Sequence, residues 1–89
     1  MEIKKSASAG TMESSDAYVE ISPYESGIKL QTESVVFEQF GETINNAVKE
    51  VLSEKGVENA FVHVVDRGAL ECVLKARVET AILRSGEEK

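Results

Sequence analysis

Residues 35–55 read VVFEQFGETINNAVKEVLSEK, and this stretch decides the fold class. Its apolar side chains recur at steps of three and four residues, which places them on one face of a helix. Ser34 precedes the stretch as a candidate N-cap, and Gly56 follows it where a left-handed residue would end the helix. The spacing therefore predicts a long amphipathic helix whose buried stripe is Phe37, Phe40, Ile44, Val48, Val51 and Leu52.

The residues before this helix alternate in the manner of strands. Residues 17–22, AYVEIS, alternate apolar and polar side chains, and residues 28–32, IKLQT, resume the pattern. The intervening residues 23–27 contain a proline and a glycine, which favour a turn. The two strands are predicted to pair as an antiparallel hairpin. Residues 1–12 are predicted to be either a flexible segment or a further edge strand.

The residues after the helix also read mainly as strands. Residues 60–65, AFVHVV, are rich in β-branched and aromatic side chains, and Asp-Arg-Gly at 66–68 predicts a turn. Alternation over 70–78 predicts the second arm of a hairpin, although the spacing from Arg77 onward also suits a short C-terminal helix. Residues 85–89 are expected to fray. The chain is thus predicted to be one α+β domain over 1–89, with a small, mostly antiparallel sheet covered by one long helix.

Composition narrows the classes of partner. The net charge of −6 argues against nucleic acid, because phosphate binding needs clustered Lys and Arg, and it favours protein partners with basic patches. No segment approaches the roughly 20 apolar residues that cross a bilayer, and Met1 to Thr11 lacks the apolar stretch of a signal peptide. No membrane association is expected. Cys72 is the single cysteine, which suits a reducing compartment and predicts a cytoplasmic protein.

The residues offer no convincing catalytic or metal site. His63 lies inside a predicted strand and is expected to be exposed or hydrogen-bonded there. Cys72 alternates with neighbouring leucines and is expected to be a buried structural thiol. One histidine and one cysteine cannot form a zinc site, and the scattered glycines form no phosphate-binding loop. We therefore expect no catalytic residue and no metal.

A polar cluster near the N-terminus carries the functional hypothesis. Glu13-Ser14-Ser15-Asp16 presents two adjacent hydroxyls between two carboxylates, directly before the first clear strand. Without a base to activate it, a presented serine is more readily a substrate for another protein than a nucleophile. A polar turn bonded to nearby backbone and a phosphorylation site are the alternatives that the residues leave open.

Several stretches closely resemble the acyl carrier protein of citrate lyase, its gamma subunit. They are the opening Met-Glu-Ile-Lys, residues 9–16 (AGTMESSD), residues 38–41 (EQFG), residues 65–72 (VDRGALEC) and residues 75–77 (KAR). The likeness spans nearly the whole chain. The carrier subunit of malonate decarboxylase is a close alternative for the function of this chain. A non-enzymatic interaction module that is phosphorylated on Ser14 or Ser15 is an alternative from a different functional class.

The resemblance implies a non-catalytic carrier with its prosthetic group on Ser14, the first serine of the run. The implied group is phosphoribosyl dephospho-coenzyme A, joined to the serine oxygen by a phosphodiester, whose thiol carries acetyl or citryl during citrate cleavage. The implied partners are the alpha (acyl transferase) and beta (citryl lyase) subunits, a prosthetic-group transferase and an acetylating ligase. Glu13, Ser15 and Asp16 would form the flank that the attaching transferase recognises.

Overall fold

The computed structural model describes residues 2–35 and 37–86. Its elements are β1 (Ala7–Gly10), β2 (Ala17–Ser22), β3 (Ile28–Ser34), α1 (Phe37–Glu54), β4 (Ala60–Asp66) and α2 (Glu71–Gly86). The strands form one four-stranded sheet in the order β1-β2-β4-β3, and the two helices cover one of its faces. The α+β class predicted from the sequence is confirmed, with two covering helices instead of one.

The predicted hairpin between β2 and β3 is wrong, because β4 lies between them. β4 runs antiparallel to β2 and parallel to β3. The parallel pairing requires a crossover, and α1 provides it. Ala60, Val62 and Val64 of β4 are fully buried, whereas β3 has no buried residue. The more apolar strand therefore takes the central position, and β3 is left at an edge.

The predicted long helix is confirmed as α1. Ile44, Val48, Val51 and Leu52 are buried as expected, while Phe40 at the N-terminal end is 52% exposed. The side chain of Phe37 lies outside the described residues. Ser34 is the last residue of β3, and residue 36, which directly precedes α1, also lies outside the described residues. Ser34 is thus not the residue directly before the helix.

The C-terminal end of α1 is closed by a Schellman motif. Gly56 adopts a φ of 69°, its N–H donates to the Ser53 carbonyl at 3.0 Å, and the Val57 N–H donates to the Leu52 carbonyl at 2.9 Å. These two hydrogen bonds satisfy carbonyl groups in the last turn of the helix, and a left-handed glycine commonly ends a helix in this way. The glycine cap predicted from the sequence is confirmed.

The predicted second hairpin arm over 70–78 is wrong, because this segment begins the helix α2. The buried side chains of α2 recur at helical steps, at Leu74, Val78, Ala81, Ile82 and Ser85. The alternating apolar residues at 70 and 72 are instead exposed. α2 covers the part of the sheet formed by β1 and β2, and that buried area decides in favour of the helical period.

The segment before β1 is hydrogen-bonded to the C-terminal end of α2. β1 forms the outer edge of the sheet and pairs only with β2 among the described strands. The backbone N–H groups of Lys4 and Lys5 donate to the carbonyl of Ser85, a fully buried residue of α2. The fraying expected from residue 85 is therefore wrong for Ser85 and Gly86, and residues 87–89 lie outside the described residues. Among the described helices, none is long and apolar enough to span a membrane.

Candidate functional site

Ser14 lies at the tip of the loop that joins β1 to β2, which we call the serine loop (residues 11–16). The Asp16 N–H donates to the Glu13 carbonyl at 3.2 Å and closes a four-residue turn. Ser15, the third residue of that turn, has a φ of 65°. A positive φ at this place is the mark of a type II turn, which puts Ser14 at the second position. Ser14 is exposed, and its hydroxyl has no hydrogen-bond partner within residues 2–35 and 37–86.

The base of the serine loop is bonded to the residue that follows β4. The Ser15 N–H donates to the Arg67 carbonyl at 2.7 Å, and the Arg67 N–H donates to the Asp16 carbonyl at 2.9 Å. Ser15 and Asp16 thus lie opposite the single residue Arg67, and Ser15, the first of the two, is left-handed. This is the pattern of a β-bulge. The turn is therefore held against the central strand instead of projecting freely.

Asp16 anchors the loop through its side chain. Its two carboxylate oxygens accept from Arg77 of α2, at 3.0 Å from Nε and 3.1 Å from Nη2. The Thr11 hydroxyl and the Ala17 N–H also donate to the Asp16 carboxylate, each at 2.7 Å. The Arg77 guanidinium, followed by the Thr11 and Ala17 donors, holds the pKa of Asp16 well below its usual range. Asp16 is thus occupied by internal contacts, while Glu13 is exposed at the surface.

Gly10 allows the two strands to meet directly below the loop. Its φ is 92°, and a Cβ at this position would lie 1.8 Å from the Ala17 carbonyl oxygen. A side chain is excluded here both by the backbone conformation and by lack of space. Gly10 therefore sets the close start of the hairpin that carries Ser14.

We expect Asp16→Asn to lower stability near neutral pH and to lose that effect in acid. The depressed pKa means that the stabilisation by the Asp16 carboxylate is complete above the ordinary aspartate pKa of 3.8 and is lost as the pH falls below it. Urea unfolding at several pH values, from about 6 down to about 2.5, measures this. The gap between wild type and Asp16→Asn should narrow below about pH 4, while Glu13→Gln should follow wild type throughout. A constant gap would contradict the assigned contacts.

We expect Ser15→Gly to stabilise the protein slightly. A left-handed serine costs about 1–2 kcal/mol, and the greater backbone entropy that a glycine loses on folding offsets about 0.5–1 kcal/mol of this, so the net gain is between about 0 and 1.5 kcal/mol. Ser14→Gly is the matched control, because Ser14 has no positive φ and should lose about 0.5–1 kcal/mol. Chemical denaturation compares the two. Equal effects of the two substitutions would contradict the turn geometry.

The other residues considered from the sequence, His63 and Cys72, form no hydrogen bond or ion pair with the serine loop within residues 2–35 and 37–86. His63 lies in β4, with Nε2 2.6 Å from Glu33 and Nδ1 3.6 Å from Glu20, so it is hydrogen-bonded as expected. Cys72 is exposed in the first turn of α2, and the expectation of a buried thiol is wrong because the segment is helical. Within the described part of the chain, no group of three His, Cys, Asp or Glu side chains could hold a metal ion.

Asp66 has a structural role that was not predicted, because its place in the sequence indicated only a turn. It is 2% exposed at the end of β4. Its carboxyl accepts from the Ser34 hydroxyl at 2.8 Å and from the Ala69 N–H at 3.0 Å, and its carbonyl accepts from the Val35 N–H at 3.3 Å. The hydrogen bonds of Asp66 thus connect the end of β3 to the turn that follows β4. We call residues 66–70 the 66–70 segment. The run Asp-Arg-Gly-Ala at residues 66–69 is the part of the sequence from which this role of Asp66 could have been recognised.

Comparison with known proteins identifies the family. A family model described as ACP, malonate decarboxylase delta subunit (MdcD), matches residues 4–85. The citrate lyase acyl carrier protein 2 of Salmonella typhimurium is 53% identical over 99% of this chain and 92% of its own length. The citrate lyase acyl carrier protein of Lacticaseibacillus casei is 44% identical over 100% of this chain and 88% of its own. The chain belongs to the citrate lyase acyl carrier protein family.

The fold of this family extends to more distant proteins. The chain matches one from the crystal structure of a Pseudomonas malonate decarboxylase hetero-tetramer in complex with malonate, with a TM-score of 0.72. The match covers 94% of this chain and 87% of that one at 20% identity, so it concerns the fold alone. The family resemblance derived from the sequence is confirmed. The citrate lyase relatives, at 53% and 44% identity, are much more similar in sequence than the malonate decarboxylase chain.

Proposed function

We propose that this chain is the acyl carrier subunit of citrate lyase and that its prosthetic group is attached to Ser14. The observation that carries the proposal is the presentation of Ser14, whose hydroxyl is exposed and unbonded in the described structure, at the tip of a loop fixed on both sides. The relatives named citrate lyase acyl carrier protein, matched along nearly their full length, support the same conclusion.

The residues at the loop fit a group attached through a phosphodiester. Ser14 supplies the oxygen, and no internal hydrogen bond of that hydroxyl with a described residue would have to be broken. Arg67, which is exposed and paired through its backbone with Ser15 and Asp16, offers a guanidinium suited to phosphate oxygens. The group itself, phosphoribosyl dephospho-coenzyme A in our proposal, supplies a terminal thiol for acetyl and citryl thioesters.

The chain contributes a fixed base and a recognition surface. The bonds from Ser15 and Asp16 to Arg67 and Arg77 hold the attachment point at a constant place on the domain. A tether starting from a fixed point keeps its end at high effective concentration near successive active sites. The alpha (acyl transferase) and beta (citryl lyase) subunits provide those sites, so the carrier needs no catalytic residue of its own. An acetylating ligase loads the thiol, and the whole assembly lies in the cytoplasm.

Intact mass of the chain coexpressed with citrate lyase maturation enzymes tests the proposal. Wild type should gain an adduct of the mass of phosphoribosyl dephospho-coenzyme A, and Ser14→Ala should gain none. Ser15→Gly is the matched control, because it removes the neighbouring hydroxyl and accommodates the positive φ. It should still gain the adduct, since a residue of the recognition flank affects the rate of attachment and not its site. An adduct that persists in Ser14→Ala would move the site. No adduct on wild type, with the enzymes active on another carrier, would overturn the carrier function.

The recognition flank is a separate part of the proposal. Glu13 is the exposed carboxylate beside Ser14, whereas the Asp16 carboxylate is engaged with Arg77. We expect Glu13→Gln to slow modification by the prosthetic-group transferase, because an exposed charge contributes mainly to encounter. Substitution of Asp16 would act through the loop structure instead. A modification rate unchanged in Glu13→Gln, measured as the time course of the mass adduct, would exclude Glu13 from recognition.

A carrier of malonate decarboxylase is the second candidate. The description of the matching family model favours it, while the 53% identity to a citrate lyase carrier favours our first choice. Binding to purified subunits of the two enzymes separates the candidates. A chain that carries a single phosphate on Ser14 or Ser15 and no larger adduct would instead be an interaction module.

A further inference from the structure

A shallow hollow opens at the end of β4, beside the serine loop. We call it the Arg67 hollow; its volume is about 310 Å³, and it is lined by Glu33, Ser34, Val35, Val65, Asp66 and Arg67. Val65 follows the fully buried Val64 along β4, so its side chain lies on the sheet face that the helices do not cover. Val35 is 66% exposed. The Arg67 hollow is therefore an open surface that combines two apolar side chains with one arginine.

The Arg67 hollow adjoins the attachment serine through the backbone. The Ser15 N–H donates to the Arg67 carbonyl at 2.7 Å, and the Arg67 N–H donates to the Asp16 carbonyl at 2.9 Å. Arg67 is thus paired with the residue that directly follows Ser14 in the chain. These bonds fix the position of Arg67 relative to the tip of the serine loop. A group attached to the Ser14 oxygen therefore begins at the border of the hollow.

Arg67 differs from the other two arginines of the chain in that the fold does not use its side chain. Arg77 donates to the Asp16 carboxylate at 3.0 Å from Nε, and Arg84 donates to a carbonyl of β1 at 2.8 Å. The Arg67 guanidinium has no hydrogen bond or ion pair within residues 2–35 and 37–86. It is exposed. Arg67 is thus free to bind an anion that is not part of the folded chain.

We propose that the Arg67 hollow binds the nucleotide part of the prosthetic group, with the guanidinium on the phosphate next to Ser14 and the two valines against the adenine. The identity of this ligand rests on the proposed function. Phosphoribosyl dephospho-coenzyme A begins with the phosphate that is joined to the serine oxygen, and its adenosine is linked to the phosphoribosyl unit. A guanidinium forms strong, charge-assisted hydrogen bonds with phosphate oxygens. An adenine ring removes exposed apolar side chains from water.

The carboxylates of the hollow indicate how the nucleotide is oriented. The Glu33 carboxylate is bonded to His63 Nε2 at 2.6 Å, and Asp66 is 2% exposed. Both carboxylates would repel a phosphate, so the phosphate belongs at Arg67, the residue bonded to the serine loop. The uncharged adenine then covers the valines. With the nucleotide held on the domain, only the pantetheine end of the group is free to reach the active sites, and a tether close to its working length gives the thiol a higher effective concentration there.

Amide chemical shifts of the isotope-labelled carrier, compared between the unmodified and the fully modified form of each variant, test the proposal. In wild type, modification should shift the amides of residues 33–35 and 65–67 in addition to those of the serine loop. Arg67→Gln should lower the ratio of bound to free nucleotide about tenfold or more, so the shifts at Val35 and Val65 should largely vanish while those of the serine loop remain. Lys49→Gln is the matched control, because Lys49 is an exposed cation of α1 without an ion pair in the described part of the chain, and it should follow wild type.

Two further variants separate the charge from the apolar contact. Arg67→Lys keeps the charge but loses the planar fork, so its shifts should lie between those of wild type and Arg67→Gln. Val35→Thr with Val65→Thr keeps the β-branched shape and removes apolar surface, so it should also lower the fraction of bound nucleotide. The phosphorus resonance of the phosphodiester should move in Arg67→Gln, relative to wild type, and move less in the threonine variant. If Arg67→Gln gains no adduct, Arg67→Lys and the threonine variant provide the comparison.

The results that would overturn this proposal differ from those that would overturn the carrier function. A wild-type chain that has the mass adduct, but whose shifts stay confined to the serine loop, is a carrier that does not hold the nucleotide. Equal shifts in wild type and Arg67→Gln would exclude Arg67 from the site. Shifts at residues 33–35 and 65–67 that appear only when the alpha or beta subunit is added would make the hollow a protein contact instead. A wild-type chain without the adduct overturns the carrier function and, with it, this ligand.

Discussion

Gly10→Ala is expected to destabilise the protein by about 2–5 kcal/mol. The left-handed conformation costs an alanine about 1–2 kcal/mol, and forcing a methyl group against backbone adds about 1–3 kcal/mol. The added Cβ would lie 1.8 Å from the Ala17 carbonyl oxygen and 3.2 Å from Cδ of Arg77. The start of the hairpin must therefore open, and the arginine that holds Asp16 must shift. A loss of this size is a large part of the roughly 5–15 kcal/mol that stabilises a typical domain.

Gly27→Ala is the matched control for this prediction. Gly27 has a φ of 76°, similar to Gly10, but a Cβ there would meet no atom within 4 Å. It should therefore cost only the conformational part, about 1–2 kcal/mol. Urea unfolding of both variants separates strain from steric exclusion, and the time course of Ser14 modification shows whether the loop is displaced. If the two alanine variants are equally stable, the close contact between β1 and β2 is not as described.

Asp66→Ala is expected to cost about 2–4 kcal/mol, because it leaves buried or half-buried donors without their acceptor. The lost acceptor serves the Ser34 hydroxyl and the Ala69 N–H, on the two sides of the end of β4. Since the 66–70 segment supports the serine loop through Arg67, its loosening should also slow modification of Ser14. Chemical denaturation measures the first effect and intact mass over time the second.

Ser34→Ala supplies the internal comparison. It removes one of the two side-chain hydrogen bonds to Asp66 and keeps the other, so a loss of about 0.5–1.5 kcal/mol is expected. Modification of Ser14 should then stay close to wild type, because the bond from Ala69 still orders the segment. If Asp66→Ala proves no more harmful than Ser34→Ala, the bond to Ala69 contributes nothing and Asp66 does not organise the segment.

Only part of the candidate site could be predicted from the sequence. A polar turn at Ser14 was one of the alternatives that the sequence left open, because adjacent Ser and Asp residues before a strand favour a turn through local interactions. The family resemblance pointed to the same serine. The anchoring of that turn was not predicted, because its partners are remote in the chain, with Arg77 61 residues from Asp16. Pairing of Ser15 with Arg67 follows from the position of β4 beside β2, which was not predicted because the hairpin partner expected for β2 was residues 28–32.

The division between sequence and tertiary structure follows the range of the interactions. The alternation of β2, the glycine cap at Gly56 and the buried C-terminal part of the α1 stripe were determined by neighbouring residues and are found as predicted, whereas Phe40 is exposed. The strand order was decided by tertiary structure, because β2 could pair with either β3 or β4, and the more apolar β4 gains more by burial at the centre. The alternation over 70–78 favoured a strand, and helical spacing was recognised only from Arg77 onward. The apolar surface that α2 buries against β1, β2 and α1 selects the helix instead. A local pattern limits each segment to one or two conformations, and the burial of apolar surface between distant segments selects the one that forms.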